Sequence, residues 1–219
     1  MLRIHIEIEK LKKQLLALGA LVEGRFNDAV KSIEHRDADL AEEIILGDVE
    51  IDQMEVDLEE NVLKVLALYQ PMAVDLREIV AILKINNDLE RIGDLACDLA
   101  ERAKFLATQP EIRFPFDFPM MAEKVRMMLQ KSLDAFVHLD KDLARSVCAA
   151  DDEVDVIHSN MFLNVEEAIL QQTGNTKQLL NFLSMSRYLE RIADHTTNIA
   201  EDVLYLITGE IVRHRPKGF

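Results

Sequence analysis

LERIGDLACDLAE at residues 89–101 and LERIADHTTNIAE at residues 189–201 are identical at seven of thirteen positions and lie 100 residues apart. Two such similar segments at a fixed separation mark an internal duplication. Upstream the match continues: DADLAEEIILGD (37–48) pairs with DKDLARSVCAAD (140–151) at a separation of 103. The slip of three residues falls between these segments, where Gln70-Pro71 in one half and Thr173-Gly174-Asn175 in the other spell a turn. Between the halves, Thr108 to Met120 interleaves Pro110, Pro115 and Pro119 with Phe114, Phe116 and Phe118, a pattern that neither helix nor regular strand tolerates. The chain therefore divides into a first repeat (1–107), a connector (108–119) whose phenylalanines tuck into the join, and a second repeat (120–219).

Composition sets the fold class. The 219 residues are 49% apolar, enough for a large buried core, while only 7 are Gly, 5 are Pro and 5% are aromatic, which starves turns and sheets. Asp37 and Asp140 stand where helix N-caps belong, and Pro71 suits a first helical turn. These signals predict helices over 5–35, 37–69, 71–107, 119–138, 140–171 and 175–209. The expected architecture is all-α: two tandem, pseudo-symmetric three-helix bundles made of six long rods, each long rod about 45 Å, antiparallel because the turns are short.

A net charge of −15 excludes a phosphate-backbone partner, since nucleic-acid affinity comes from Lys and Arg. Cys97 and Cys148 fall in separate helical patterns and form no disulfide framework, which fits a reducing compartment. Residues 1–13 alternate charge with apolar side chains and lack a secretory signal, and the run Leu15 to Val22 is too short to span a bilayer. The expected location is cytoplasmic.

The chemistry lies in the acids. At about 100° per residue, Glu90, Asp94, Asp98 and Glu101 fall within an arc of about 80° opposite the apolar face of the third helix. The duplicate helix repeats the pattern with Glu190, Asp194, Asn198 and Glu201. The second rod adds Asp48, Asp52, Glu55 and Glu59, matched in the other half by Asp151, Asp155, His158 and Phe162. Antiparallel neighbours can bring the two sets together as oxygen-rich sites suited to hard or borderline divalent and trivalent metals. The plain alternative is a solvated acidic face, with Arg91 and Arg102 spaced to pair with Asp94 and Asp98. Against it, like charges at i and i+4 carry a cost of roughly 0.2–0.5 kcal/mol per pair, and the cost recurs in both halves. His195 aligns with Leu95 near the apolar flank and reads as a packed or capping residue rather than a ligand. The methionines 120, 121, 127 and 128 read as gap fillers.

No nucleophile with an adjacent base and no Gly-rich phosphate cradle is visible. A di-iron carboxylate enzyme needs Glu-x-x-His pairs, and only Asp155 precedes a histidine, His158, at that spacing. A carboxylate-bridged, metal-dependent enzyme is the competing function; the reading preferred is a non-enzymatic protein.

The stretch QPMAVDLREIVAILKINNDLERIGDLACDLAE (70–101), with its degenerate copy YLERIADHTTNIAED (188–202), closely resembles the PhoU family of accessory regulators of phosphate-specific transport. GALVE at 19–23 and the acids at Asp48 and Asp52 extend the likeness over nearly the whole chain. The resemblance implies paired three-helix bundles and a cytoplasmic protein that represses the phosphate-starvation response and limits phosphate uptake. It implies as partners the phosphate ABC transporter and its sensor histidine kinase, a homodimer, and attachment to the membrane only through partners. It also implies metal ions, with iron, zinc, manganese and magnesium all open, at Glu90, Asp94, Asp98, Glu190, Asp194 and Asn198, with Asp48, Asp52, Asp151 and Asp155 contributing and Glu101 and Glu201 as additions. Where a typical member has GDHA followed by Asn, this chain has GDLACD, so the two sites are expected to differ; His158 and Phe162 in place of Glu55 and Glu59 make the second the less acidic.

Overall fold

Apolar residues recurring at helical spacing build every element of the fold. The computed structural model describes residues 2–171 and 173–210; the last stretch of the second repeat, 211–219, lies outside the described residues. In chain order the helices are α1 (Leu2–Glu34), α2 (Ala38–Leu46), α3 (Asp48–Tyr69), α4 (Ala73–Ala107), α5 (Phe118–His138), α6 (Lys141–Gln171) and α7 (Thr176–Thr208), with one 3₁₀ turn at Thr173–Asn175. No strand occurs among the described residues.

The protein is all-α, with α1, α2/α3 and α4 forming one three-helix bundle and α5, α6 and α7 the other. On α1, Leu11, Leu15, Leu18, Val22 and Phe26 are buried at three- and four-residue spacing and pack along α4, which buries Ile82, Ile85, Leu89, Ile92 and Leu99. Each such side chain contributes about 1.5–3 kcal/mol of burial free energy. Both expected N-caps form. Asp37 accepts from the backbone N–H groups of Asp39 and Leu40, and Asp140 from those of Asp142 and Leu143.

Three expectations need correction. The rod at 37–69 is divided at Gly47, whose N–H is shared between the carbonyls of Glu43 and Ile44, while its counterpart α6 runs unbroken. Pro71 lies before α4 and not in its first turn, because Gln70 and Ala73 both adopt left-handed backbone conformations there. Of the four clustered methionines, Met121 and Met128 fill the core, whereas Met120 and Met127 are exposed.

The connector docks on the second bundle. Phe114 stacks on Phe118 and Phe182 with ring centroids 5.4 and 4.2 Å apart, Gln178 donates to the Pro110 carbonyl, and Asn164 donates to that of Pro115. The bundles meet along α4 and α7, which run antiparallel. Polar contacts set their register: Lys84 Nζ bonds Asp202 at 2.9 Å, and buried Asp88 accepts from His195 Nδ1 at 2.8 Å and from Asn198 Nδ2 at 3.2 Å.

Candidate metal centre

Asp48 opens α3 just after the Gly47 break, Asp52 follows one turn later, and Asp94 faces both from α4. One carboxylate oxygen from each lies within 4.8 Å of the others. Glycine makes the approach possible. A Cβ on Gly93 would sit 3.1 Å from the Ile51 side chain of α3, so the helices close at this point because Gly93 has none.

Three carboxylates this close repel one another, and the electrostatics record it. Burial, reinforced by the charges of Asp52 and Asp94, pushes the Asp48 carboxyl above its ordinary range against the pull of the Cys97 thiol and Arg25. Burial and Asp94 do the same to Glu90, opposed by Arg91; burial and the neighbouring Glu59 and Asp52 raise Glu55. Asp48 Oδ1 is buried without a hydrogen-bond donor. Such an atom is costly unless something positive satisfies it. The residues present therefore fit a hard cation: Asp48, Asp52 and Asp94 would hold it, with Glu90 beside them. Bound there, an ion supplies positive charge that cancels the repulsion. Cys97 is no soft ligand by itself, since burial and Asp48 push its thiol up and keep it protonated.

The other expected residues divide. Asp98 and Glu101 stand apart from this group: Asp98 is raised by burial and by Glu101 while the charges of Arg102 and Arg191 pull it down, and Glu101 pairs with Arg102 at 3.1 Å. Arg91 pairs with Asp94 at 3.1 Å, as its spacing suggests, but Arg102 takes Glu101 and not Asp98. In the second half, Glu190 is raised by burial and by Asp155 and Asp151, and Asp194 by burial, Glu190 and Asp155. These four acids share one neighbourhood, yet Asp48, Asp52 and Asp94 are the one group of three potential ligands that converges among the described residues. Asn198 points to the seam, where it donates to Asp88, and is not with these acids. Glu201 is half-buried on α7.

Sequence reasoning missed the residues behind the acids. Asn86 is fully buried on α4, and its Nδ2 donates to the Glu55 backbone carbonyl at 3.0 Å and to Glu55 Oε1 at 3.1 Å. At the equivalent places in the second half, Ser186 Oγ lies 3.0 Å from His158 Nδ1. Applying the two repeat separations, 100 and 103, to Asn86 and Glu55 would have found this pair. His195, read as packed, makes a 2.8 Å bond to Asp88 that joins the halves.

A family model described as the PhoU domain matches residues 15–103 and 118–203. The chain is 38% identical over 207 residues to a phosphate-specific transport system accessory protein PhoU homolog of Clostridium acetobutylicum, covering 94% of each. It is 38% identical to the Aquifex aeolicus homolog of the same description, covering 98% of this chain and 97% of that one. The fold superposes on the crystal structure of PhoU from Pseudomonas aeruginosa with a TM-score of 0.91 at 39% identity, over 94% of this chain and 99% of that chain. For the phosphate transport system regulatory protein PhoU from Streptococcus pneumoniae, the TM-score is 0.86 at 28% identity, over 95% and 99%. Duplicated sequence, paired bundles and full-length likeness converge, and the chain belongs to the PhoU family.

Proposed function

We propose that this protein is an accessory regulator of phosphate transport that represses the phosphate-starvation response and restrains phosphate uptake. It acts as a metal-binding adaptor between the phosphate ABC transporter and its sensor histidine kinase. The observation that carries the metal-binding part is the convergence of Asp48, Asp52 and Asp94, with a buried carboxylate oxygen lacking a donor. The regulatory part is supported by relatives described as accessory proteins of phosphate-specific transport that match 94–98% of this chain. No helix among the described residues is long and apolar enough to cross a membrane, so contact with the transporter runs through protein surfaces.

The adaptor's own residues have a definite part in this reading. Asp48, Asp52 and Asp94 hold the cation with Glu90 beside them, and Arg25 and Arg91 balance the remaining charge at the rim. The Asp88–His195–Asn198 contacts keep the two bundles in one register, so that a change at one is felt at the other. Deleting the gene is expected to derepress phosphate-scavenging functions in phosphate-rich medium. Unchanged expression would remove the regulatory role, whatever the metal content of the purified protein.

A further inference from the structure

Val49, Val56 and Leu63 stand seven residues apart on α3 and are 72%, 46% and 53% exposed. The core of the bundle does not use them. Each lies two residues from a buried neighbour (Ile51, Leu58 and Val65), which at 100° per residue places it on roughly the opposite side of the helix. Scattered single aliphatics on a surface mean little, but these three share one line over about 21 Å of helix, two turns apart, with Asp52, Gln53, Glu59 and Glu60 on the turns between them. We propose that this stripe is the docking face for a basic amphipathic helix of a partner protein.

Charge selects the occupant. Helix α3 carries Asp48, Glu50, Asp52, Glu55, Asp57, Glu59 and Glu60 against the single Lys64, and Lys64 is already paired with Glu60 at 3.1 Å. By helical rotation, Asp52 and Glu59 border one edge of the stripe, with Gln53 and Glu60 along the other, and all four are exposed. A second copy docking by the same stripe would set acid against acid, and an anionic bilayer would be repelled in the same way. A helix with aliphatic side chains at three- and four-residue spacing and Lys or Arg on its flanks fits both the stripe and its borders. The second half carries a line of its own, Val156, Leu163 and Leu170, with Ser159 and Asn160 beside its Val156–Leu163 section and the exposed Glu166 and Glu167 beside its Leu163–Leu170 section, so it offers acids along half its length where α3 offers them throughout. The proposal takes from the adaptor role only that the chain works through a protein partner, and it names the chemistry of that contact.

The test uses the full chain and fluorescein-labelled peptides of about 18 residues, roughly five helical turns. One presents a Leu stripe flanked by Lys, one has the same composition scrambled to abolish the stripe, and one carries Glu for Lys. Fluorescence anisotropy is expected to give micromolar binding of the striped Lys peptide, weakening with added salt, and binding at least about tenfold weaker for the other two. Val49→Gln/Val56→Gln/Leu63→Gln should lower affinity for the striped peptide about tenfold. Its circular dichroism and melting point should not change, because the three side chains are exposed. Val156→Gln/Leu163→Gln/Leu170→Gln should weaken binding by less than the α3 variant does. Equal binding by the α3 variant, equal binding of the scrambled peptide, or a loss confined to the α6 variant would overturn the proposal. So would sedimentation showing that the α3 variant dissociates a dimer, since the stripe would then belong to a second copy. None of these outcomes bears on the gene-deletion phenotype, which tests the regulatory role separately.

Discussion

The cleft between α3 and α4 and its counterpart between α6 and α7 are built on one register, yet they hold their acids differently. Asp48, Asp52, Glu90 and Asp94 in the first cleft correspond to Asp151, Asp155, Glu190 and Asp194 in the second. Three acids converge in the first cleft, and no such group forms in the second among the described residues. Two small differences accompany this. Gly93, against which Ile51 packs, corresponds to Ala193, and Gly47, where the second rod divides, corresponds to Ala150 on the unbroken α6. The missing methyl at Gly93 leaves room for Ile51 of α3 against α4; the missing methyl at Gly47 leaves room for the Arg25 guanidinium, which would stand 2.5 Å from a Cβ there, at the point where α3 begins with Asp48. Identical ligand types thus do not make identical sites, because backbone approach decides whether the oxygens meet.

The largest effect that could break this comparison is on cation binding. Adding manganese or magnesium at about a hundredfold excess over its Kd should stabilise the wild type by about 2.7 kcal/mol. Asp48→Asn/Asp52→Asn/Asp94→Asn should abolish that shift, while Asp151→Asn/Asp155→Asn/Asp194→Asn should remove only a minor part of it. Thermal melts with elemental analysis measure both, and a greater loss from the second set would reverse the ranking of the clefts.

A sharper test exchanges the glycines. Gly93→Ala is expected to push Ile51 outward and weaken cation binding several-fold, with a stability cost near zero because Ala favours the helix by about 1 kcal/mol over Gly. Ala193→Gly with Ala150→Gly should strengthen binding at the second cleft. Calorimetric titration of each variant decides it, and unchanged affinity in both would show that helix approach is not what distinguishes the halves.

Smaller effects appear as pH dependence of opposite sign. Glu90 is held above the ordinary carboxylate range, so the folded chain binds a proton where the unfolded chain has released it. Its repulsion therefore costs stability at neutral pH and fades as pH falls. Glu90→Gln should stabilise the metal-free protein by a few tenths of a kcal/mol at neutral pH, the advantage vanishing near about pH 4. His158 is held below its ordinary value, by burial first and then by Arg187, so the folded chain resists protonation and loses stability as pH drops through the imidazole range. His158→Gln should thus be nearly neutral at high pH and relatively stabilising near about pH 5. Urea melts across pH compare the two, and slopes of the same sign would refute the assignment.

Much of this was legible in the chain itself. The duplicated LERI-x-D segment, the caps at Asp37 and Asp140 and the heptad-like burial on α1 and α4 are local patterns, and local patterns follow from side-chain spacing on a helix. The candidate acids were legible as a set, because residues four apart must share a face. Their division was not. The same stripe sends Asp94 to α3, Glu101 to Arg102, and Asn198, the counterpart of Asp98, to Asp88 on the other bundle. An arc of about 80° is wide enough to touch two neighbouring helices, and periodicity alone does not say which.

The sequence by itself determined that this protein is a duplicated helical chain of the PhoU family whose acids recur at helical spacing, since repeat, composition and periodicity are written in the order of residues. Only the tertiary structure decided which acids meet, that His195 and Asn198 join the bundles through Asp88, and that α3 leaves an aliphatic stripe uncovered. Those outcomes depend on distances between helices remote in sequence. Such distances are set by single packing contacts like that of Gly93 against Ile51.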